Sequence, residues 1–140
     1  MKFTKDHGGR SHYFPTKLKK DLTGDCVVRA IAIATNQDYM YIMKELFRIG
    51  LEIGHMPNNP RTYEKYLDSI GWVKNKPFRK SNKKKYQVKN LPIKSGTSYI
   101  IHTTSHLTAI VGGVLRDTWN CGAWCANSYY TKEVIKWNTI

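Results

Sequence analysis

Thr23-Gly24-Asp25-Cys26 runs directly into Val27-Val28-Arg29-Ala30-Ile31-Ala32-Ile33-Ala34. A short polar loop thus feeds an apolar run in which only Arg29 is charged. The pattern predicts a helix over residues 25–35, buried on most sides. Asp25 or Thr23 can cap its start, and Asn36 can stop it. Arg29 either reaches the rim or pairs with Asp25 one turn earlier. Cys26 falls in the first turn, where unpaired amides and the helix dipole favour thiolate over thiol. Given a base, such a sulfur is a nucleophile; without one, it is a small buried residue.

Downstream, Tyr39, Ile42, Met43, Leu46, Phe47 and Ile49 form a helical stripe over residues 38–49, with Asp38 as cap. Gly50 and Gly54 are expected to break it. Asn58-Asn59-Pro60 opens a third helix with apolar face Tyr63, Tyr66, Leu67 and Ile70, ended by Gly71. From Trp72 the pattern turns to β. Trp72-Val73 and Tyr86-Gln87-Val88 are short candidate strands, and residues 98–102 a better one. Residues 106–111 and 114–118 form a hairpin turned by Gly112-Gly113. Residues 129–137 suit a last strand or short helix. The first 22 residues read as a basic arm. The expectation is one α+β domain over residues 1–140, its N-terminal Cys-bearing helix packed on a C-terminal antiparallel sheet.

The balance of 23 Lys+Arg against 10 Asp+Glu, a net charge of +13, points to acidic partners. No acidic residue occurs between Ser69 and Arg116. The basic segment 74–94 interleaves Lys80, Lys83, Lys84 and Lys85 with Phe78 and Tyr86, which suits phosphate contacts with stacking, acidic protein, or plain solvation. No stretch is long and apolar enough for a membrane span, so no membrane partner is expected. Neither a secretion signal nor an even cysteine count is present, so the expectation is reduced thiols and a cytoplasmic location. Cys121 and Cys125 read as ordinary thiols, with no metal and no cofactor.

The hairpin register tests whether a base has an orienting partner. With Gly112 and Gly113 as turn residues, Val111 faces Val114, Thr108 faces Asp117 and His106 faces Trp119. Alternation puts His106 and Asp117 on one face as diagonal neighbours, about 7–8 Å apart at the backbone. Asn120 falls on the other face and is only a reserve orienter. His102 is a rival base without a paired acid. His7, His12 and His55 have no evident partner in the sequence.

The order Cys26, His106, Asp117 resembles the papain-like cysteine peptidases. The likeness rests on Gly24-Asp25-Cys26 before the helix, Ser105-His106-Leu107-Thr108-Ala109, and Asp117-Thr118-Trp119. It is nearest to small bacterial peptidases that cut double-glycine leader peptides, and to compact papain-like proteins of phage and bacterial genomes. The resemblance implies Cys26 as nucleophile, His106 as general base and acid, and Asp117 as orienter, with Trp119 shielding the His–Asp bond. Many papain-like enzymes place a glutamine about six residues before the nucleophile as oxyanion donor. Lys20 stands there, and no glutamine precedes Cys26. Lys20 or Thr23, with the Cys26 amide, are the candidate donors. The implied activity is hydrolysis of a peptide, isopeptide or related amide. The alternative is a weak or inactive scaffold, phage-encoded and acting in the host cytoplasm, that binds nucleic acid or acidic protein as an inhibitor.

Overall fold

In a computed structural model, residues 1–15 and 23–132 are described. Lys20 and the predicted tail beyond Lys132 lie outside them. Helix α1 (Cys26–Thr35) buries Val27, Val28, Ala30, Ile31, Ala32 and Ala34, as its apolar run requires. Asn36 stops it in the left-handed conformation, φ 54°. Asp25 occupies the N-cap position, but its carboxylate makes no bond to the first-turn amides.

Helix α2 (Tyr39–Ile53) is capped by the Asp38 carboxylate, which accepts from the Tyr41 amide at 3.0 Å. It runs through Gly50 and ends at Gly54, one turn beyond the predicted break. Gly50 is there for space: a Cβ on it would lie 2.4 Å from the His55 carbonyl oxygen. Phe47, placed by pattern on the apolar stripe, is half exposed, whereas Tyr39, Ile42, Leu46 and Ile49 are buried. Helix α3 (Pro60–Ser69) opens on an Asn59 side chain that accepts from the Arg61 amide, and buries Tyr63, Tyr66 and Leu67.

Strands β1 (Lys2–Lys5), β2 (Trp72–Asn75), β3 (Tyr99–Thr103), β4 (His106–Val111), β5 (Val114–Asp117) and β6 (Ser128–Lys132) form one sheet in the order β1-β5-β4-β3-β6-β2. The β4–β5 hairpin has the predicted register, Val111 against Val114, with both turn glycines at positive φ. Two expectations are corrected. The sheet is mixed rather than antiparallel, because residues of the supposed arm form β1, which pairs in parallel with β5. The Tyr86-Gln87-Val88 strand is reduced to a single bridge, Gln87 to Cys125, followed by a 3₁₀ turn over Val88–Asn90.

Helix α1 lies over β4 and packs with Ile100, Leu107, Ala109 and Tyr130 on one side of the sheet. On the other side Ile101, Ile110 and Leu115 meet Val88, Leu91 and Cys121 from irregular segments. Both faces are therefore covered, one by helices and one by loops. No helix among the described residues is long and apolar enough to cross a membrane.

Gly50→Ala should lower stability by about 2 kcal/mol, because overpacking outweighs a helix-propensity gain of ~1 kcal/mol. Urea unfolding checks this; a midpoint at or above that of the wild type would mean the His55 carbonyl yields without cost.

Candidate active site

Strand β4 begins with His106, immediately after a tight turn in which Ser105 has φ 59°. A non-glycine residue there stores about 1 kcal/mol of backbone strain. The turn delivers the imidazole to the end of the sheet, where α1 also begins. His106 Nε2 lies 2.7 Å from Asp117 Oδ2, so the predicted diagonal contact is made. Cys26 lines the same cleft as His106 and Leu107, and its sulfur feels both the ring and the Leu107 amide. Since Nε2 is committed to Asp117, Nδ1 is the nitrogen left for the thiol. One ring thus interacts with a sulfur from α1 and a carboxylate from β5.

The charge states follow from this packing. Burial favours the neutral Cys26 thiol, but His106, the Leu107 N–H and Arg29 outweigh it and hold the thiol below its usual 9.0. Burial likewise opposes a charged His106. The bond to Asp117, with contacts to Cys121 and Cys26, overrides that and raises the imidazole from 6.5 to about 11. Asp117 is pushed up by burial and pulled further down by His106 and the Thr118 amide, the latter donating at 2.7 Å. The directions agree: the imidazolium stabilises thiolate and carboxylate, and each anion stabilises the imidazolium.

Arg29 is 6% exposed and pairs with Asp25, also 6% exposed, as the spacing on α1 suggests. Its second terminal nitrogen lies 3.8 Å from Asp117 Oδ1. Asp25 is also held by Arg10 at 2.9 Å and by the Tyr39 hydroxyl at 2.6 Å. Burial pushes the Asp25 carboxyl up, and hydrogen bonds from Thr23 and Tyr39 and the Arg29 charge bring it below its usual 3.8. Backbone contact completes the link: the Asp6 amide donates to the Asp117 carbonyl at 2.9 Å.

Trp119 sits beside His106 with ring centroids 4.9 Å apart, and Trp124 packs on Trp119 at 5.3 Å. Both indoles are themselves partly exposed. Asn120 is otherwise engaged, its Oδ1 accepting from the Gly122 amide at 2.9 Å. It is not brought to His106. The Thr23 hydroxyl donates to Asp25 and accepts from Arg29 at 3.1 Å. The hydroxyl is engaged in that network.

Cys121 is the residue that sequence reasoning missed. It is fully buried, with its sulfur 3.7 Å from Asp117 Oδ2. Cys125, by contrast, is exposed. His106, Asp117 and Cys121 offer nitrogen, oxygen and sulfur donors within 4.8 Å of one another, a set that zinc accepts. A cation there would sit against the Arg29 guanidinium and compete for the carboxylate that His106 uses.

A cleft of about 510 Å³ opens over Cys26 and His106, walled by Asn58, Tyr63, His102, Thr104 and Asn127 among others. His102 therefore shares the cleft as a neighbour. Burial, then Lys74 against a weaker pull from Glu64, keeps it below 6.5 and neutral. The basic residues form a tight hairpin, with an Arg79–Lys85 bridge, the Lys80 amide donating to the Lys84 carbonyl, and Lys83 at φ 66°. Its aromatic rings are engaged: Phe78 stacks on Tyr129 at 4.5 Å, and Lys80 lies over Tyr86 at 5.6 Å. No family profile, curated protein or solved structure matches the chain.

The stabilities linked to these groups have opposite pH limits. The His106 contribution is full below 6.5 and is lost as pH rises towards about 11. The Asp117 contribution is present above 3.8 and is lost as pH falls through its lowered folded pKa. In a Cys26→Ala background, where no thiolate gains stability as the imidazolium loses it, the stability gap between the protein with His106 and its His106→Ala variant should shrink above pH 6.5. Denaturant unfolding of both proteins across pH checks this, and a gap that widened towards pH 10 would refute it.

Proposed function

We propose that the chain is a papain-like cysteine hydrolase acting on an amide bond of a peptide or protein. The observation that carries the reading is His106, held 2.7 Å from the Asp117 carboxylate and lining one cleft with Cys26. A nucleophile, a base within reach and an orienter for that base are what covalent acyl transfer requires.

The Cys26 thiolate attacks the substrate carbonyl carbon, forming a C–S bond while the π electrons move to oxygen. Re-formation of the carbonyl expels the amine, which takes the proton from the His106 imidazolium. The neutral imidazole then removes a proton from water as it attacks the thioester. Collapse releases the acid and returns thiolate and imidazolium. Asp117 keeps the ring oriented and favours its charged form throughout. The oxyanion donor is the Cys26 backbone amide at the start of α1, towards which the helix dipole also acts. Lys20 is outside the described residues, and Thr23 is occupied. The same groups can pass the acyl unit to an amine, or act on a side-chain amide.

A weakly active scaffold that binds acidic protein or nucleic acid has one observation in its favour: Thr23 is committed to Asp25 rather than to an oxyanion. The two readings separate on reactivity. A thiol-directed acyl probe should label the wild type, should fail with Cys26→Ala, and should slow by about a hundredfold or more with His106→Ala. Cys121→Ala should retain labelling. Labelling that survives Cys26→Ala, or that follows Cys121, would sink the hydrolase reading.

A further inference from the structure

The walls of the cleft differ in what lies behind them. Asn127 forms part of the rim, and its side chain is fixed at both ends. Its Oδ1 accepts from Lys85 Nζ at 3.0 Å, and its Nδ2 reaches Thr104 Oγ1 at 3.5 Å. Its backbone amide donates to the His102 carbonyl at 2.8 Å. Just before it, the Ala126 amide donates to the Tyr86 carbonyl, and Cys125 bridges Gln87. The basic hairpin is thus pinned, through Asn127, to the turn that presents His106. It does not hang from the fold as a loose tail.

The charge there is one-signed. Arg79, Lys80, Lys83, Lys84 and Lys85 lie within seven residues. Among the described residues, the cleft lining contains no aspartate or glutamate. An acidic chain lying in the cleft and crossing Asn127 therefore meets the hairpin cations, and Glu64, the carboxylate that acts on His102, is paired with Lys74 at 3.3 Å.

We infer that the cleft takes a carboxylate-rich peptide segment, which runs from Cys26 across Asn127 onto the Arg79–Lys85 hairpin. This rests on the proposed nucleophile, because an acyl-transfer site needs an amide chain threaded past the sulfur. Peptide is favoured over nucleic acid by the state of the hairpin's rings. Single-stranded nucleic acid binds by stacking bases on open aromatic faces. Phe78 already stacks on Tyr129, and Tyr86 is covered by Lys80. What remains is charge and the hydrogen-bonding rim.

The test uses the full-length chain and follows Cys26 alkylation by neutral iodoacetamide, resolved by peptide mass spectrometry. Alkylation is measured alone and with short oligoglutamate, oligolysine or oligouridylate at low salt. Oligoglutamate should slow alkylation, oligolysine should not, and added salt should weaken the protection. Protection should fall about fivefold in Lys85→Glu. Lys84→Glu, at an exposed position away from Asn127, should weaken it in the same direction and serves if Lys85→Glu misfolds. Rapid Cys26 alkylation that oligoglutamate leaves unchanged would overturn the peptide assignment while sparing the nucleophile. Equal protection by oligouridylate would overturn it in favour of nucleic acid. Alkylation of Cys26 no faster than that of exposed Cys125 would remove the nucleophile, and this assignment with it.

Discussion

A single buried guanidinium joins the helix that carries the thiol to the strand that carries the orienting carboxylate. Arg29 touches Asp25 at the start of α1 and approaches Asp117 at the end of β5. A charge sealed in this position is costly unless it is paired. Two carboxylates answer it, and each is answered in turn, Asp25 by Arg10 and Tyr39, Asp117 by His106. The network is best viewed as a set of mutual obligations. Its geometry fixes how far α1 can shift against the sheet, and so how far Cys26 can move from His106. Removing one partner of such a pair usually costs more than the pair contributes, about 3–5 kcal/mol.

Local pattern carried most of the fold. The apolar run after Cys26 could be little other than a buried helix, and Asn36 marked its end. Gly112-Gly113 fixed the hairpin register, and with it the His106–Asp117 contact, because side-chain alternation propagates from a two-residue turn without ambiguity. Each failure depended on a contact that local pattern does not show, two of them with partners distant in sequence. Lys2–Lys5 is short and polar, and becomes a strand only because β5 offers it an edge. Gly50 looks like a breaker, yet it is tolerated inside α2 because the His55 carbonyl needs the room. Tyr86-Gln87-Val88 has strand-like residues, but it meets loop rather than sheet.

The site divides in the same way. Cys26, His106 and Asp117 were legible because helix start and hairpin register are local signals. Cys121 was not, since it follows the end of β5 and nothing in Thr118-Trp119-Asn120 reveals that the chain folds back under the carboxylate. The engagement of Thr23 was hidden for a related reason. A hydroxyl two residues from a carboxylate satisfies that carboxylate first, and only the three-dimensional arrangement shows that Asp25 is buried and in demand.

The Trp119–His106 contact has an optical consequence. An imidazolium quenches indole emission by electron transfer over contact distance, and a neutral imidazole does so far less. With the rings 4.9 Å apart, the indole reads the proton on the histidine directly. Trp124 lies at the edge of Trp119 and can pass excitation to it. The molecule therefore carries its own fluorescent indicator of the His106–Asp117 pair, and loss of the histidine's proton becomes a change in brightness.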